Sequence, residues 1–407
     1  MRIRCVAVAA VLTLGSAGCK ESPPVVADYH ESRPGTLMIW ADGDRAEAVQ
    51  PFAEAFAARH GIKAEVYGLG SADSRRSDFI RGVREGKGPD IYLGEHQDLS
   101  EFVAAGVVAP VPLTDAQRAA YEPLAIRAGT YDGQLYLVPH AITNVMLYRN
   151  VTLVPDAPAT IEDLVATGRR LVAAGQATEV LGLPVGAQGD LESVYPLYSS
   201  AGGYLFGTNP DGSPDATDLG VGAPSSVDAL RRIAGLGALK TSIDLGKVAS
   251  GLTGAKMPFV VVHPAAAELV RPLSQAKWAV SAVPGFAGGR PARPLVRVQG
   301  FYLSAAAQNK ALAAQFLAER VGTVDLQESL CAAWSTAPAL TAAIGPVTAA
   351  HPETQALIDV ARTGELIPST PRMQRVWTPF GQAEVVAVTG GDVEAAVRAA
   401  RDRIGTA

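Results

Sequence analysis

Apolar spacing places the start of the ordered chain at Leu37. Leu37–Trp40 are four consecutive apolar residues that run straight into Asp42, Gly43, Asp44 and Arg45. That pattern predicts a buried strand over 37–41 ending in a polar cluster. A helix over about 46–59 follows, because Val49, Phe52, Ala53 and Phe56 share one helical face. Asp44 with Glu47 three residues later has the form of a capping box, Pro51 sits late for a first turn, and Gly61 ends the helix. A strand over 62–68, a helix in "DFIRGVREGKG", a strand in "PDIYLG" and a short helix in "LSEFVAAG" continue the alternation. Asp132-Gly133 predicts a hairpin turn, and a long β-rich run follows Pro139. Thr160 caps an amphipathic helix (Ile161, Leu164, Val165, Leu171, Val172) that Gly175 ends, and a second α/β unit begins there. Later strands are predicted in "KMPFVVVHP" and "KWAVSAVPG", and helices in "NKALAAQFLAERV" and over 392–404. Strands alternating with helices predict the α/β class, with a parallel sheet covered on both faces.

The length of 407 residues suggests two domains, and 48% hydrophobic content is enough for a core in each. The net charge is −5 and no basic run exceeds a dipeptide, so the chain carries no nucleic-acid footprint. The first residues have the form of a targeting segment. Arg2 and Arg4 precede a short apolar run, Cys5–Leu14, and small residues lead to Cys19. This arrangement resembles a bacterial lipoprotein signal, which predicts removal of 1–18, lipidation at Cys19 and export to the outer face of the cell membrane or the periplasm. Residues 19–35, rich in Pro and polar residues, read as a tether. No later segment reaches the roughly 18 apolar residues a membrane helix needs. With Cys5 in the signal and Cys19 carrying lipid, Cys331 has no disulfide partner and reads as a small buried hydrophobe.

The polar cluster after the first strand could be a helix cap, a metal site, a catalytic pair or a ligand grip. Enzyme signatures are missing. There is no phosphate loop and no G-x-S-x-G elbow, and "GLGSAD" has Asp73 where a dinucleotide fingerprint needs Gly. The six histidines never pair at helical ligand spacing, so no metal or cofactor is expected. A dispersed carboxylate pair for glycoside cleavage stays open, since its members need not be local.

Five phrases in order resemble the maltose/maltodextrin-binding proteins of bacterial ABC importers: "LMIWADGDRAEAVQPFAEAFAARHGIKAEV", "GKGPDIYLGEHQDLSEFVAAGVVAPV", "YDGQLYLVPHAITNVMLYRN", "YPLYSSAGGYLF" and "GELIPSTPRMQRVWTPF". The resemblance covers 37–404. It implies a two-lobe periplasmic-binding-protein-like fold (type II), with hinge crossings near 142–146, 295–298 and 346–350. The first lobe would comprise 36–142 plus 298–346, and the second 146–295 plus 350–407. It also implies a monomeric receptor without catalysis, holding a saccharide in the interlobe cleft. The receptor would deliver it to transmembrane permease subunits served by a separate ATPase subunit.

The family's contact positions fall on Asp42, Asp44 and Arg45 after the first strand, where open α/β sheets hold ligands, and on Glu95, His96 and Gln97. They fall also on Thr143 and Asn144, on Asp190, Glu192 and Tyr195, and on Trp377 as an aromatic platform. The chain departs from the family at Gly94, where an aromatic is usual, at Gln97 and Asp98 for Asp and Arg, at Thr143 for Glu, at Ala265 for Trp, and at Gly381 for Arg. Two of three stacking surfaces are therefore absent, which leaves open a saccharide other than maltodextrin. The rival readings are an exported glycan-processing enzyme, a receptor for a non-sugar solute, and a sensor that binds without uptake.

Overall fold

A computed structural model describes residues 30–70, 72–209, 214–237, 245–254, 256–270, 274 and 276–405. The expected signal, Cys19 and most of the tether lie outside these residues. The first strand β1 (Thr36–Ala41) is buried throughout. Helix α1 (Gly43–Arg59) begins earlier than its apolar spacing predicts, and its cap is Asp42. The Asp42 carboxylate accepts the Arg45 backbone N–H at 3.2 Å, so the expected Asp44–Glu47 box does not form. Asp42 has extended backbone while Gly43 and Asp44 are already helical, and that conformational change is what defines a cap. Pro51 lies inside α1 on its exposed side, and Val49, Ala53 and Phe56 are buried.

Next come β2 (Lys63–Gly68), α2 (Ala72–Arg84), β3 (Ile91–Glu95), α3 (Leu99–Ala104), β4 (Leu137–Thr143) and β5 (Met146–Asn150). The hairpin at Asp132-Gly133 is present, with both residues at positive φ. Thr160 caps α4 (Ile161–Ala173), and Asp190 caps α5 (Leu191–Ser200). Strands β6 (Phe259–Val262), β7 (Trp278–Ser281) and β8 (Leu295–Ser304) precede α6 (Val324–Trp334), α7 (Glu353–Thr363), α8 (Trp377–Thr389) and α9 (Val393–Ile404).

The main sheet runs 337–338, β4, β8, β3, β1, β2. β1 is parallel to β2 and β3, as alternation predicts. β8 departs from that expectation, inserting antiparallel between β3 and β4. The returning chain therefore enters the middle of the sheet. A smaller antiparallel sheet, β6-β5-β7, lies beyond the crossing from β4 to β5.

Two hydrophobic cores result. The first gathers Leu37, Ile39, Phe56, Phe102, Phe301 and Phe316, and the second Leu164, Tyr195, Tyr198, Phe286, Val376 and Phe380. The small sheet serves both. Met146 and Tyr148 face the first core while Val145 and Leu147 face the second, following the two-residue period of a strand. The third passage between cores lies after α7, not at 346–350. Leu357, Ile358 and Ala361 still belong to the first core, and Ile367 is the first residue after α7 in the second. The apolar face of α7 packs on the first core, and the crossing follows where the 365–366 strand pairs with the start of β8.

The second core encloses one ionisable group without a counter-charge. Glu384 of α8 is fully buried, and neither carboxylate oxygen has a hydrogen-bond partner among the described residues. Burial first, and the charge of Asp190 next, push its carboxyl well above its ordinary 4.5. The folded state therefore prefers Glu384 protonated. Below about pH 4.5 folded and unfolded chains both carry that proton and there is no penalty. As the pH rises toward the raised value, stability falls by about 1.4 kcal/mol per pH unit, and it levels off above that value. Glu384→Gln should match the wild type near pH 4 and be more stable by at least about 1 kcal/mol at pH 8. Denaturant melts at the two pH values measure this, and an equal gap at both would contradict it.

A polar cleft where the chain crosses between cores

The polar residues collect at one edge of the main sheet, at the carboxyl ends of β1, β3 and β4 and the amino end of β8. Register puts Arg297 across from Thr143, and Gln299 across from Glu95. Arg297 is the centre. Its guanidinium pairs with Glu95 on the first-core side and reaches Glu192 Oε2 of α5 at 2.6 Å on the second-core side. His263 Nε2, just after β6, lies 3.4 Å from the other Glu192 oxygen. Burial alone would raise the Glu192 carboxyl, but Arg297, then His263, hold it well below the usual carboxylate range. Burial would likewise lower the Arg297 guanidinium, and the two glutamates raise it instead. Gln97 donates to Glu95 Oε2 at 2.7 Å, and Tyr302 Oη donates to the Glu95 carbonyl at 2.7 Å.

A second polar corner stands at the start of α1. Arg45 is buried, with Nε 2.5 Å from Asp42 Oδ2, and Arg75 Nη2 lies 3.9 Å from the same oxygen. Arg45 Nη1 and Arg75 Nε have no hydrogen-bond partner among the described residues. Gln97 Oε1, Gln299 Oε1 and Asn144 Oδ1 are in the same condition. Buried polar groups are normally paired, so a cluster of orphans at one edge marks a surface suited to a hydrogen-bonding guest. A small open cavity lies beside it, lined by Arg75, Arg76, Tyr92, Glu95, Gln97, Asp98 and Gln374. A neighbouring groove shares Arg76, Gln97 and Gln374 and adds Thr370. Burial, then the Glu95 charge, push the Asp98 carboxyl up to about 7. Among the described residues no group of three His, Cys, Asp or Glu is placed to hold a metal ion.

The sequence-predicted residues divide by what they touch. Asp42, Arg45, Glu95, Gln97, Thr143 and Glu192 come together at this edge. Asp44 is exposed in the first turn of α1. His96 is committed to backbone and has no nitrogen left for a guest. The Val298 N–H donates to Nδ1 at 3.1 Å, so Nε2 carries the proton and donates to the Ile367 carbonyl at 2.9 Å. Burial lowers its pKa to about 4, which keeps it neutral as a pin between two crossing segments. Asn144 is wholly buried, donating to the Val145 carbonyl. Asp190 spends its carboxylate capping α5 through the Glu192 and Ser193 N–H groups. Tyr195 is buried and donates to Glu365. Trp377 is half-buried against the second core.

Sequence reasoning missed Arg297 and Arg75 and assigned no role to His263. Arg297 sits inside an apolar strand run, and only its isolation there hinted at a buried counter-charge. Two family departures have steric reasons. A Cβ on Gly94 would stand 2.5 Å from the Tyr92 ring, and one on Gly381 would stand 2.8 Å from the Gln188 carbonyl.

Arg297→Met should cost about 3 kcal/mol or more, because it leaves two carboxylates facing each other in a desolvated crossing. Replacing Glu95, Glu192 and Arg297 together by Gln, Gln and Met should recover part of that loss. Urea denaturation of the two variants checks both statements.

The profile of the bacterial extracellular solute-binding proteins matches residues 51–356. The galactooligosaccharide-binding protein of Bacillus subtilis is 23% identical over 93% of this chain and 90% of its own length. A maltooligosaccharide ABC transporter solute-binding lipoprotein of Streptococcus pneumoniae is 24% identical over 49% of this chain and 47% of its own. The maltotriose-binding protein of Pyrococcus abyssi is 30% identical over 20% of this chain and 18% of its own. Among the described residues no helix is long and apolar enough to cross a membrane. With three quarters of its length matched, this two-lobed α/β chain belongs to the bacterial extracellular solute-binding protein family.

Proposed function

We propose that the protein is the receptor of an ABC importer for a neutral oligosaccharide, held between its two cores and released unchanged to a membrane permease. The observation that carries this reading is the charge balance of the cleft. Four guanidinium groups (Arg45, Arg75, Arg76, Arg297) face five carboxyl groups (Asp42, Glu95, Asp98, Glu101, Glu192), of which Asp98 is raised to about 7 and so carries less than a full charge at neutral pH. A strongly charged guest would break that balance, whereas a polyhydroxylated one finds donors and acceptors in charge-assisted form. The names of the relatives, galactooligosaccharide- and maltooligosaccharide-binding, support an oligosaccharide. Asp42, Arg45, Glu95, Gln97, Glu192 and Arg297 are the contacts, with Asp44, Thr143 and Trp377 at the rim. The guest favours closure because it touches residues from both cores, and only such differential contact can shift the equilibrium. ATP is handled by a separate subunit, and lipid on Cys19 tethers a monomeric receptor to the outer face of the membrane.

The glycan-cleaving alternative needs a carboxyl acid whose pKa is raised. Glu192 is held ionised by Arg297 while the Asp98 carboxyl is raised, so recovery of intact sugar is what separates the two readings. Calorimetry with β-1,4-galactotriose and maltotriose should give saturable heat for at least one, with both sugars recovered intact. Small-angle scattering should show a smaller radius of gyration with that sugar bound. Silence with both sugars, together with binding of a peptide or polyamine, would overturn the proposal.

A further inference from the structure

The four tryptophans do not have equivalent surroundings. Trp40 lies within the first core, Trp278 packs against it, and Trp377 packs against the second. Trp334, the last residue of α6, is half-buried yet packs against neither core. Its ring is covered instead by a charge: the Arg45 guanidinium carbon stands 4.7 Å from the indole centroid. Arg45 is itself only 3% exposed, and the indole Nε1 is buried as well. The indole N–H has no acceptor among the described residues.

Its place in the sheet brings Trp334 toward the edge that carries the cleft. The chain after Trp334 turns through Ser335, a left-handed non-glycine residue at φ 49°, and enters the short strand at 337–338. That strand pairs Ala337 with Ile142, one residue before Thr143 and therefore at the edge that carries Arg297 and Glu95. From Trp334 the contacts run through Arg45 to Asp42, then to Arg75 in the cavity wall. An indole left off the apolar core, with a guanidinium fixing one face, offers the other as a flat apolar surface. A pyranose presents a matching C–H face, and the chain lacks aromatic side chains at Gly94 and Ala265.

We infer that Trp334 is the aromatic wall of the ligand cleft, stacking on a pyranose ring of the bound saccharide while Arg45 holds the indole in place. This rests on the saccharide reading given above. Two measurements test it with β-1,4-galactotriose and maltotriose. In the wild-type protein, N-bromosuccinimide oxidation of Trp334, followed by peptide mass mapping, should slow at least fivefold when the sugar saturates. Trp334→Ala should weaken binding of the sugar tenfold or more, and Trp334→Phe, which keeps a ring face, by no more than about threefold. Equal oxidation with and without bound sugar, or Trp334→Ala binding within twofold of wild type, overturns the inference and leaves the saccharide reading intact. Absence of binding by the wild type to either sugar removes both. The oxidation experiment needs no substitution, so a misfolded variant does not blunt the test.

Discussion

The molecule is organised around a half-buried guanidinium shared by two carboxylates that come from different cores. Arg297 stands on the strand that leaves the second core and enters the middle of the main sheet. Taking three charges out of water is costly, and their mutual attraction offsets the cost only where geometry and further hydrogen bonds are good. The 2.6 Å contact to Glu192 and the Gln97 and Gln299 amides beside Glu95 supply that geometry. An ion pair of this kind is poor evidence for stability, but it is a sharp device for register. It forms only when β3, β8 and α5 stand in one relative position, so it ties the orientation of the two cores to the shape of the site.

Neutral groups complete that arrangement where charges would disturb it. His96 is held neutral by burial and joins the end of β3 to two crossing segments through backbone hydrogen bonds. A protonated imidazole could not accept the Val298 N–H. Asp98 has its carboxyl raised by burial and by Glu95, so it adds less than a full negative charge to the cavity wall around neutral pH. The same physics acts in the second core, where burial raises the Glu384 carboxyl and no hydrogen-bond partner among the described residues offsets its charge.

The departures from the maltodextrin-binding pattern follow from packing as much as from recognition. Tyr92 leans over Gly94 and stacks on Phe79 at 4.3 Å, filling the space an aromatic at 94 would need. Gly381 brings α8 against the Gln188–Gly189 backbone, close to the Asp190 cap of α5. Small residues at these places let backbones approach. The aromatic surface they give up is supplied, on the inference drawn here, from α6.

Much of this was legible in the chain alone. Apolar spacing marked β1, α1, α4 and α9, because a helix or strand must turn one face inward and that face repeats at a fixed interval. Turn chemistry marked Asp132-Gly133, Gly61 and the Thr160 cap, because few residues tolerate those backbone angles or supply those oxygens. The position of Asp42 and Glu95 at the carboxyl ends of strands was also readable. Several things were decided only by the tertiary structure. These were the antiparallel entry of β8, the late third crossing, the pinning of His96 and the meeting of Glu95, Arg297 and Glu192. Glu95 and Glu192 are 97 positions apart and Arg297 is 105 further on, so no local period connects them. Sequence constrains what each segment does with its own neighbours in the chain. Which buried charge meets which partner depends on how the sheets close, and that is settled by packing over the whole molecule.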